Sequence, residues 1–289
     1  MSDEQVRAID VVCNLFTPEV VQSRPAWTRS FHKGKVKGED RVLNGLTVEQ
    51  HIELLDEAGI ERALLIAPKM GRPGLPDSWH MDPRHVADAV QAHPDRFSGL
   101  IGLDPYAGMA GVRELERWVR EYGFVGAHLY PHWFELPPDH ARYYPLYAKC
   151  AELGVPIQMQ VGHCLRYSEN NPLPSVGRPI LLDTIACHFP ELVIIGIHIG
   201  WPWTEEMIAV SYKHPNVYIG VDAYAPKHWD PKLVHYINTF GQDKVLFGTD
   251  FPVIPHKRAR TEIRELGLRP EAERKLLREN ALRVYDLPR

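Results

Sequence analysis

Apolar residues fall along the chain in eight short runs, most of them rich in β-branched side chains and separated by longer stretches of helical spacing. The runs cover residues 8–15, 62–68, 97–103, 124–130, 156–162, 191–199, 217–223 and 244–250. Runs of this length, bounded by Gly, Pro and polar residues, read as strands covered on both faces. Helices are expected at 47–58, 82–92, 111–121, 141–153, 178–188, 204–213 and 230–239. The first has a capping-box pattern, Thr47 with Gln50 three residues on. The second opens on Asp82-Pro83, an N-cap with proline at the first helical position. Gly59, Gly123, Gly154 and Gly241 follow helices, where a left-handed residue closes the last turn. Strands and helices in strict alternation predict an α/β fold: a single (β/α)₈ TIM barrel spanning residues 1–289.

Two connections are long. Residues 16–46 follow the first strand and are rich in Arg, Lys and Gly; residues 69–81 contain Gly71, Pro73, Gly74 and Pro76. Loops of such length in a compact barrel are functional as a rule, so 16–46 is expected to cover the active site as a lid or binding segment. In these barrels the chemistry sits at the C-terminal ends of the strands. That rule selects Asn14, Lys69, Asp104, His128 to His132, Gln160 to His163, His198, Asp222 and Asp250.

Composition narrows the partners. A net charge of −4 argues against a nucleic-acid surface, and the one basic stretch, Lys33 to Lys37, is followed at once by Glu39 and Asp40. The four cysteines are scattered without a CxxC pair, as free thiols of a reducing cytoplasm would be. No apolar run approaches 18 residues, and the polar start predicts no secretory signal. A cytoplasmic enzyme of small molecules, binding neither membrane nor nucleic acid, is the expectation.

Several segments then carry a resemblance. They are Gly-Arg-Pro-Ile (177–180), His-Ile-Gly-Trp-Pro-Trp (198–203), Lys-His-Pro-Asn-Val-Tyr (213–218), Lys-Val-Leu-Phe-Gly-Thr-Asp-Phe-Pro (244–252) and the closing Arg-Glu-Asn-Ala-Leu-Arg-Val-Tyr-Asp-Leu (278–287). With Leu-Tyr-Pro at 129–131, they make the chain resemble the amidohydrolase-related branch that contains aminocarboxymuconate-semialdehyde decarboxylase. The resemblance implies a metal held by His-x-His on strand 1, a His on strand 5 and an Asp on strand 8, with a further His on strand 6. Here Val12 and Asn14 stand at the strand-1 pair and Gln160 at the strand-5 histidine, while His198 and Asp250 are kept. Three of four ligands are thus replaced. No metal and no cofactor are expected, beyond a weak divalent ion at Asp250 and His198. By the same analogy the chain is expected to form a homodimer.

Within that frame His198 and Asp250 are the expected acid–base pair, joined by Tyr130 as an oxyanion donor and by His163. Asn14 and Gln160, two neutral amides, suit hydrogen bonding to a carboxylate or carbonyl. His128 points to the barrel mouth, and Trp201, with Trp203, to an apolar wall for a planar substrate. Arg29 with Arg24 and Lys33 in the first loop, and Lys69 in the second, are candidates to pair with a substrate carboxylate. Cys13 faces away from the pocket by strand alternation. His51, His85, His93, His214 and His235 lie in or beside helices and are set aside. Three functions are compatible with this set. The first is a metal-independent lyase, decarboxylase or dehydratase, acting on a small unsaturated or aromatic carboxylate. The second is a hydrolase of an activated lactone or ester, and the third a barrel that binds a ligand without turnover.

Overall fold

Each of the eight apolar runs overlaps one barrel strand. The computed structural model describes residues 6–166 and 171–288. Its strands are β1 (Ala8–Asn14), β2 (Ile60–Ala67), β3 (Lys69–Met70), β4 (Trp79–His80), β5 (Phe97–Gly102), β6 (Gly126–Leu129), β7 (Ile157–Gln160), β8 (Ile194–Ile197), β9 (Val217–Val221) and β10 (Val245–Phe247). β3 and β4 form a small antiparallel hairpin; the other eight lie side by side in the order β1-β2-β5-β6-β7-β8-β9-β10. All their ladders are parallel. The seam between β10 and β1 is closed just beyond β10. Asp250 N donates to Val12 O at 2.8 Å, and Asn14 N to Phe251 O at 3.2 Å. The expected (β/α)₈ barrel is the fold observed.

The helical expectations rest on caps that form as drawn. Thr47 Oγ1 accepts from Gln50 N and Gln50 Oε1 from Thr47 N, so both halves of the capping box are made at the head of helix Val48–Glu57. Asp82 Oδ1 accepts from Arg84 N at the start of Arg84–Ala92. Gly123 and Gly154 adopt the left-handed conformation that ends their helices. Gly241 does not; a Cβ there would come within 2.4 Å of the Tyr236 ring, so space is what it supplies.

Residues 16–46 differ from an open loop. They fold into short helical pieces, Pro18–Ser23, Ala26–Phe31, His32–Val36 and Asp40–Leu43. Thr17 caps the first through Val20 N, with Pro18 at its first position. The second and third pieces run on without a break, while the first and last are under two turns, too short for apolar positions to repeat.

Two apolar layers fix the barrel. Ile9, Val11, Val12, Leu64, Ile66, Leu100, Ile195, Ile197 and Leu246 fill its interior. Ala8, Cys13, Leu65, Ile101 and Leu55 belong to the layer between strands and helices. Val11 and Val12 both join the inner layer, because the β1–β2 register shifts between Asp10 and Cys13. The residues after helix Asn280–Val284 reach this core too, where Tyr285 OH donates to Gln158 Oε1 at 2.7 Å. Among the described residues no helix is long and apolar enough to cross a membrane.

Candidate active site

Five polar side chains meet where the strands end. Asn14 closes β1, Gln160 closes β7, His198 follows β8, Asp222 follows β9 and Asp250 lies three residues past β10. Asn14 Nδ2 donates to Asp250 Oδ1 and to Phe251 O, both at 2.9 Å. Gln160 Nε2 lies 3.1 Å from His198 Nδ1; an amide nitrogen can only donate, so Nδ1 accepts and the imidazole proton sits on Nε2. That Nε2 stands 3.3 Å from Asp222 Oδ2 and 3.9 Å from Asp250 Oδ2. Asp222 Oδ1 accepts from His198 N at 2.9 Å, which ties the two strand ends together. His198, Ile199, Ala223 and Asp250 all have positive φ. Left-handed backbone at a β-branched residue such as Ile199 costs about 1–3 kcal/mol and gathers at functional sites.

Burial sets the charges. It drives His198 down to about 3, with His132 adding to the effect, so the ring is neutral at physiological pH. It pushes Asp250 up to about 7, against the hydrogen bond from Asn14. Asp222, fully buried beside Asp250, is raised well above the carboxylate range by burial and then by that neighbour. The 3.3 Å contact between His198 Nε2 and Asp222 Oδ2 is therefore not an ion pair between charged groups.

The segment after β1 supplies the pocket's near wall, including Arg24, Trp27 and His32 around a cavity of about 120 Å³. Arg24 is notable. Its guanidinium lies over the rings of Phe16 (4.2 Å) and Trp79 (4.6 Å), and its buried Nε and Nη2 have no hydrogen-bond partner. Burial lowers it to about 10, with Tyr130 and Asp250 acting the other way, so it stays charged. Opposite, Arg166 stacks on Trp27 and Trp133 at 4.6 Å from each, and pairs with Asp77 at 2.6 Å. Tyr130 lines the same cavity, its phenol held well above its usual range by burial and by Asp250.

The sequence candidates divide on this geometry. His198, Asp250, Tyr130, His163, Asn14 and Gln160 all line the cavity. His163 is on its exposed side, with Nδ1 2.7 Å from Ser175 Oγ. His128 lies outside the cavity lining, fully buried, with Nδ1 accepting from Gln158 Nε2 at 2.8 Å. Trp201 is 41% exposed and packs edgewise on His163 and against Tyr224, outside the lining. Trp203 carries Arg178 over its ring. Lys69 is turned away into a 2.5 Å pair with Glu114, and Arg29 is exposed and bonded to Asn44 Oδ1 at 3.0 Å. Two other indoles, Trp27 and Trp133, line the cavity, packed on each other at 4.7 Å between ring centroids. Asp222 stood among the strand-end residues without a role, and Arg166 carried no signal, since nothing in a sequence tells which loop arginine will be enclosed.

The cation question also shifts. His198 Nε2 with one oxygen each from Asp222 and Asp250 makes three donors within 4.8 Å of one another. No metal was expected, only His198 and Asp250 being kept from the implied set; Asp222 adds a third donor, and its Oδ2 is buried without a hydrogen-bond partner. One imidazole and two carboxylates fit a divalent ion in number and chemistry.

Comparison with known proteins agrees with the geometry. The family described as Amidohydrolase matches residues 76–287. A 2-keto-4-carboxy-3-hexenedioate hydratase from Sphingobium sp. is 32% identical over 165 residues, 51% of this chain but only 47% of that protein. A gamma-resorcylate decarboxylase from Polaromonas sp. is 26% identical over 261 residues, covering 71% of this chain and 76% of the relative. Among solved structures, an uncharacterized TIM-barrel protein from Bordetella bronchiseptica superposes with TM-score 0.79 at 25% identity, covering 96% of this chain and 98% of its own. A dihydroxybenzoic acid decarboxylase from Polaromonas sp. with bound manganese gives 0.74 at 20%, covering 99% and 98%.

Proposed function

The chain belongs to the amidohydrolase family, and from that premise we propose that it is a lyase-type enzyme, a decarboxylase by first reading, acting on a small unsaturated or aromatic carboxylate. One observation carries the proposal. A buried guanidinium with unpartnered donors, Arg24, shares a cavity with the proton-holding carboxyl of Asp250 and the neutral imidazole of His198. A buried charge without a partner is costly and calls for an anion of complementary shape, for which a carboxylate suits the fork. The relatives support the reaction class: one is named a decarboxylase and one a hydratase.

The chemistry follows from the charges. Decarboxylation breaks the bond to the carboxyl carbon and leaves an electron pair on the substrate, which must take up a proton. Asp250, near 7, holds a proton at neutral pH and releases it readily, which is where an acid–base catalyst works best. His198 Nε2 stands 3.3 Å from Asp222 Oδ2 and 3.9 Å from Asp250 Oδ2 and keeps the two carboxyls in place, while Asp250 gives the proton and takes another from solvent after CO₂ leaves. Gln160 holds the imidazole in this tautomer, Asn14 steadies Asp250, and Tyr130 is placed to donate to oxygen as charge develops. Trp27 and Trp133 accept a flat ring.

A divalent ion on His198, Asp222 and Asp250 would add positive charge beside the substrate when bound. The reading that turnover runs without it rests on the amides of Asn14 and Gln160 standing where the resemblance implies imidazoles. The test is a panel of hydroxybenzoates, unsaturated dicarboxylates and lactones, followed for CO₂ release and for uptake of labelled water, with and without manganese. Turnover without added metal that His198→Ala and Asp250→Asn abolish supports the proposal. Uptake of water without CO₂ release, on a lactone alone, would make the protein a hydrolase. Tight binding with no turnover in any arm would make it a binding barrel.

A further inference from the structure

Asp250 carries the proposed acid–base chemistry on a left-handed backbone, φ 53°, in the turn that closes the barrel seam. A residue other than glycine keeps that conformation only where its surroundings over-determine it. Here they converge on a fully buried side chain outside the cavity lining, Asp10 of β1. Its Oδ1 accepts from Val12 N at 3.1 Å and from Thr249 N at 3.0 Å. Its Oδ2 accepts from Thr249 Oγ1 at 2.5 Å. With its proton given to Asp10, Thr249 Oγ1 accepts in turn from Phe251 N at 3.0 Å. Asp250 N, between them, donates to Val12 O at 2.8 Å. Each backbone N–H from Thr249 to Phe251 is thus bonded, and each bond leads to Asp10 directly or through one residue.

The Thr249 hydroxyl carries the hold of Asp10 past Asp250 to Phe251. Asp250 therefore cannot leave its conformation without breaking a buried hydrogen bond. Behind this circuit, His256 Nδ1 stands 3.2 Å from Asp10 Oδ2, and His256 Nε2 meets His51 Nε2 at 3.4 Å. Phe251 stacks on His256 and His51, at 4.4 and 4.9 Å between centroids, so the residue after Asp250 is wedged as well as bonded. In front, the same backbone leaves Asp250 Oδ1 2.9 Å from Asn14 Nδ2 and Oδ2 3.9 Å from His198 Nε2.

We propose that Thr249, anchored by Asp10, is a positioning residue: its hydroxyl holds the left-handed backbone of Asp250 and so aims that carboxyl at Asn14 and into the cavity. The inference rests on the reading of Asp250 as the proton donor. Valine at this position keeps the shape and loses both bonds, which leaves Asp10 Oδ2 and Phe251 N each one partner short in a buried layer. Serine keeps both.

The test compares Thr249→Val and Thr249→Ser in the full-length protein, by crystallography and by turnover of a panel carboxylate that the wild type consumes. Thr249→Val is expected to release Asp250 from positive φ and to open its contact with Asn14. It should lower kcat by about 10–10²-fold and leave KM within about twofold, because a misplaced acid slows the step while Arg24 still binds. Thr249→Ser should keep the wild-type backbone, with kcat within about threefold. Circular dichroism checks folding, and Thr249→Ala stands in for a valine variant that does not fold. A variant without the hydroxyl in which Asp250 stays left-handed and bonded to Asn14 overturns the proposal, as does a serine variant as slow as valine. An Asp250→Asn enzyme as fast as the wild type would instead sink the reading of Asp250 as the acid, and the backbone comparison then still decides what Thr249 holds.

Discussion

The side-chain amide of Asn14 donates to Asp250 Oδ1 across the barrel seam at 2.9 Å, joining residues 236 positions apart. This one contact stabilises the charged form of a carboxylate that burial otherwise drives toward neutrality. It makes the first strand a regulator of the last.

Asn14→Ala should therefore raise the Asp250 pKa further, since the bond it removes lowers it. The limb of the kcat/KM profile lying near pH 7 is expected to move to higher pH, with little change in melting temperature. A limb that stays in place would mean that Asp250 does not govern it.

Asp250→Asn should separate activity from stability. The folded chain holds the Asp250 proton up to about 7, whereas an unfolded carboxylate releases it near 4. Its contribution to stability is thus complete below the unfolded value and is lost as pH rises through about 7. At pH 8 the substitution should raise stability by about 1–3 kcal/mol while lowering kcat by about 10²-fold or more. Urea unfolding at pH 5 and pH 8, beside turnover, measures both; a gain at pH 5 equal to that at pH 8 would refute the linkage.

Arg24→Met should raise KM by about 10²-fold, the order expected when a charged hydrogen-bond pair loses one partner. It should not destabilise the free protein, because the guanidinium it removes has buried donors without partners. Arg24→Lys should recover little, since a point charge does not reproduce the fork. Calorimetric titration with a non-reacting carboxylate checks this, and unchanged affinity in Arg24→Met would remove Arg24 from the binding site.

Lys69→Met should leave KM unaltered and lower stability. Its ammonium is nine-tenths buried in a pair with Glu114, which substitution leaves without its cation. A KM increase comparable to that of Arg24→Met would place Lys69 against substrate after all.

Dialysis against a chelator should leave turnover within about twofold if proton transfer by Asp250 suffices. Loss of turnover restored by manganese would instead assign those three residues as its ligands.

The sequence made the barrel legible because buried parallel strands write continuous apolar runs, and it made the strand ends legible because the fold assigns them. Asn14, Gln160, His198 and Asp250 were all found that way, and all line the cavity. What it could not convey was enclosure. Arg24 and Arg29 lie five residues apart in one segment, yet one is wedged between Phe16 and Trp79 and the other is exposed. Lys69 read as a free cation because Glu114 is 45 residues distant. His51 read as an ordinary helical residue for the same reason, its partners coming from β1 and from beyond β10.

The short helical pieces after β1 lie wholly before residue 76, where the family match begins, whereas Gln160, His198, Asp222 and Asp250 lie within it. Arg24, proposed to bind the substrate carboxylate, and the proposed proton-holding groups thus lie on separate stretches of chain. Changes at Arg24, Trp27 or His32 can redraw what the cavity accepts without disturbing the proton-holding groups beneath. Such a division lets one inherited reaction be retargeted to new molecules by drift in a single contiguous segment. Exchanging that segment between relatives is accordingly a direct route to altered substrate range.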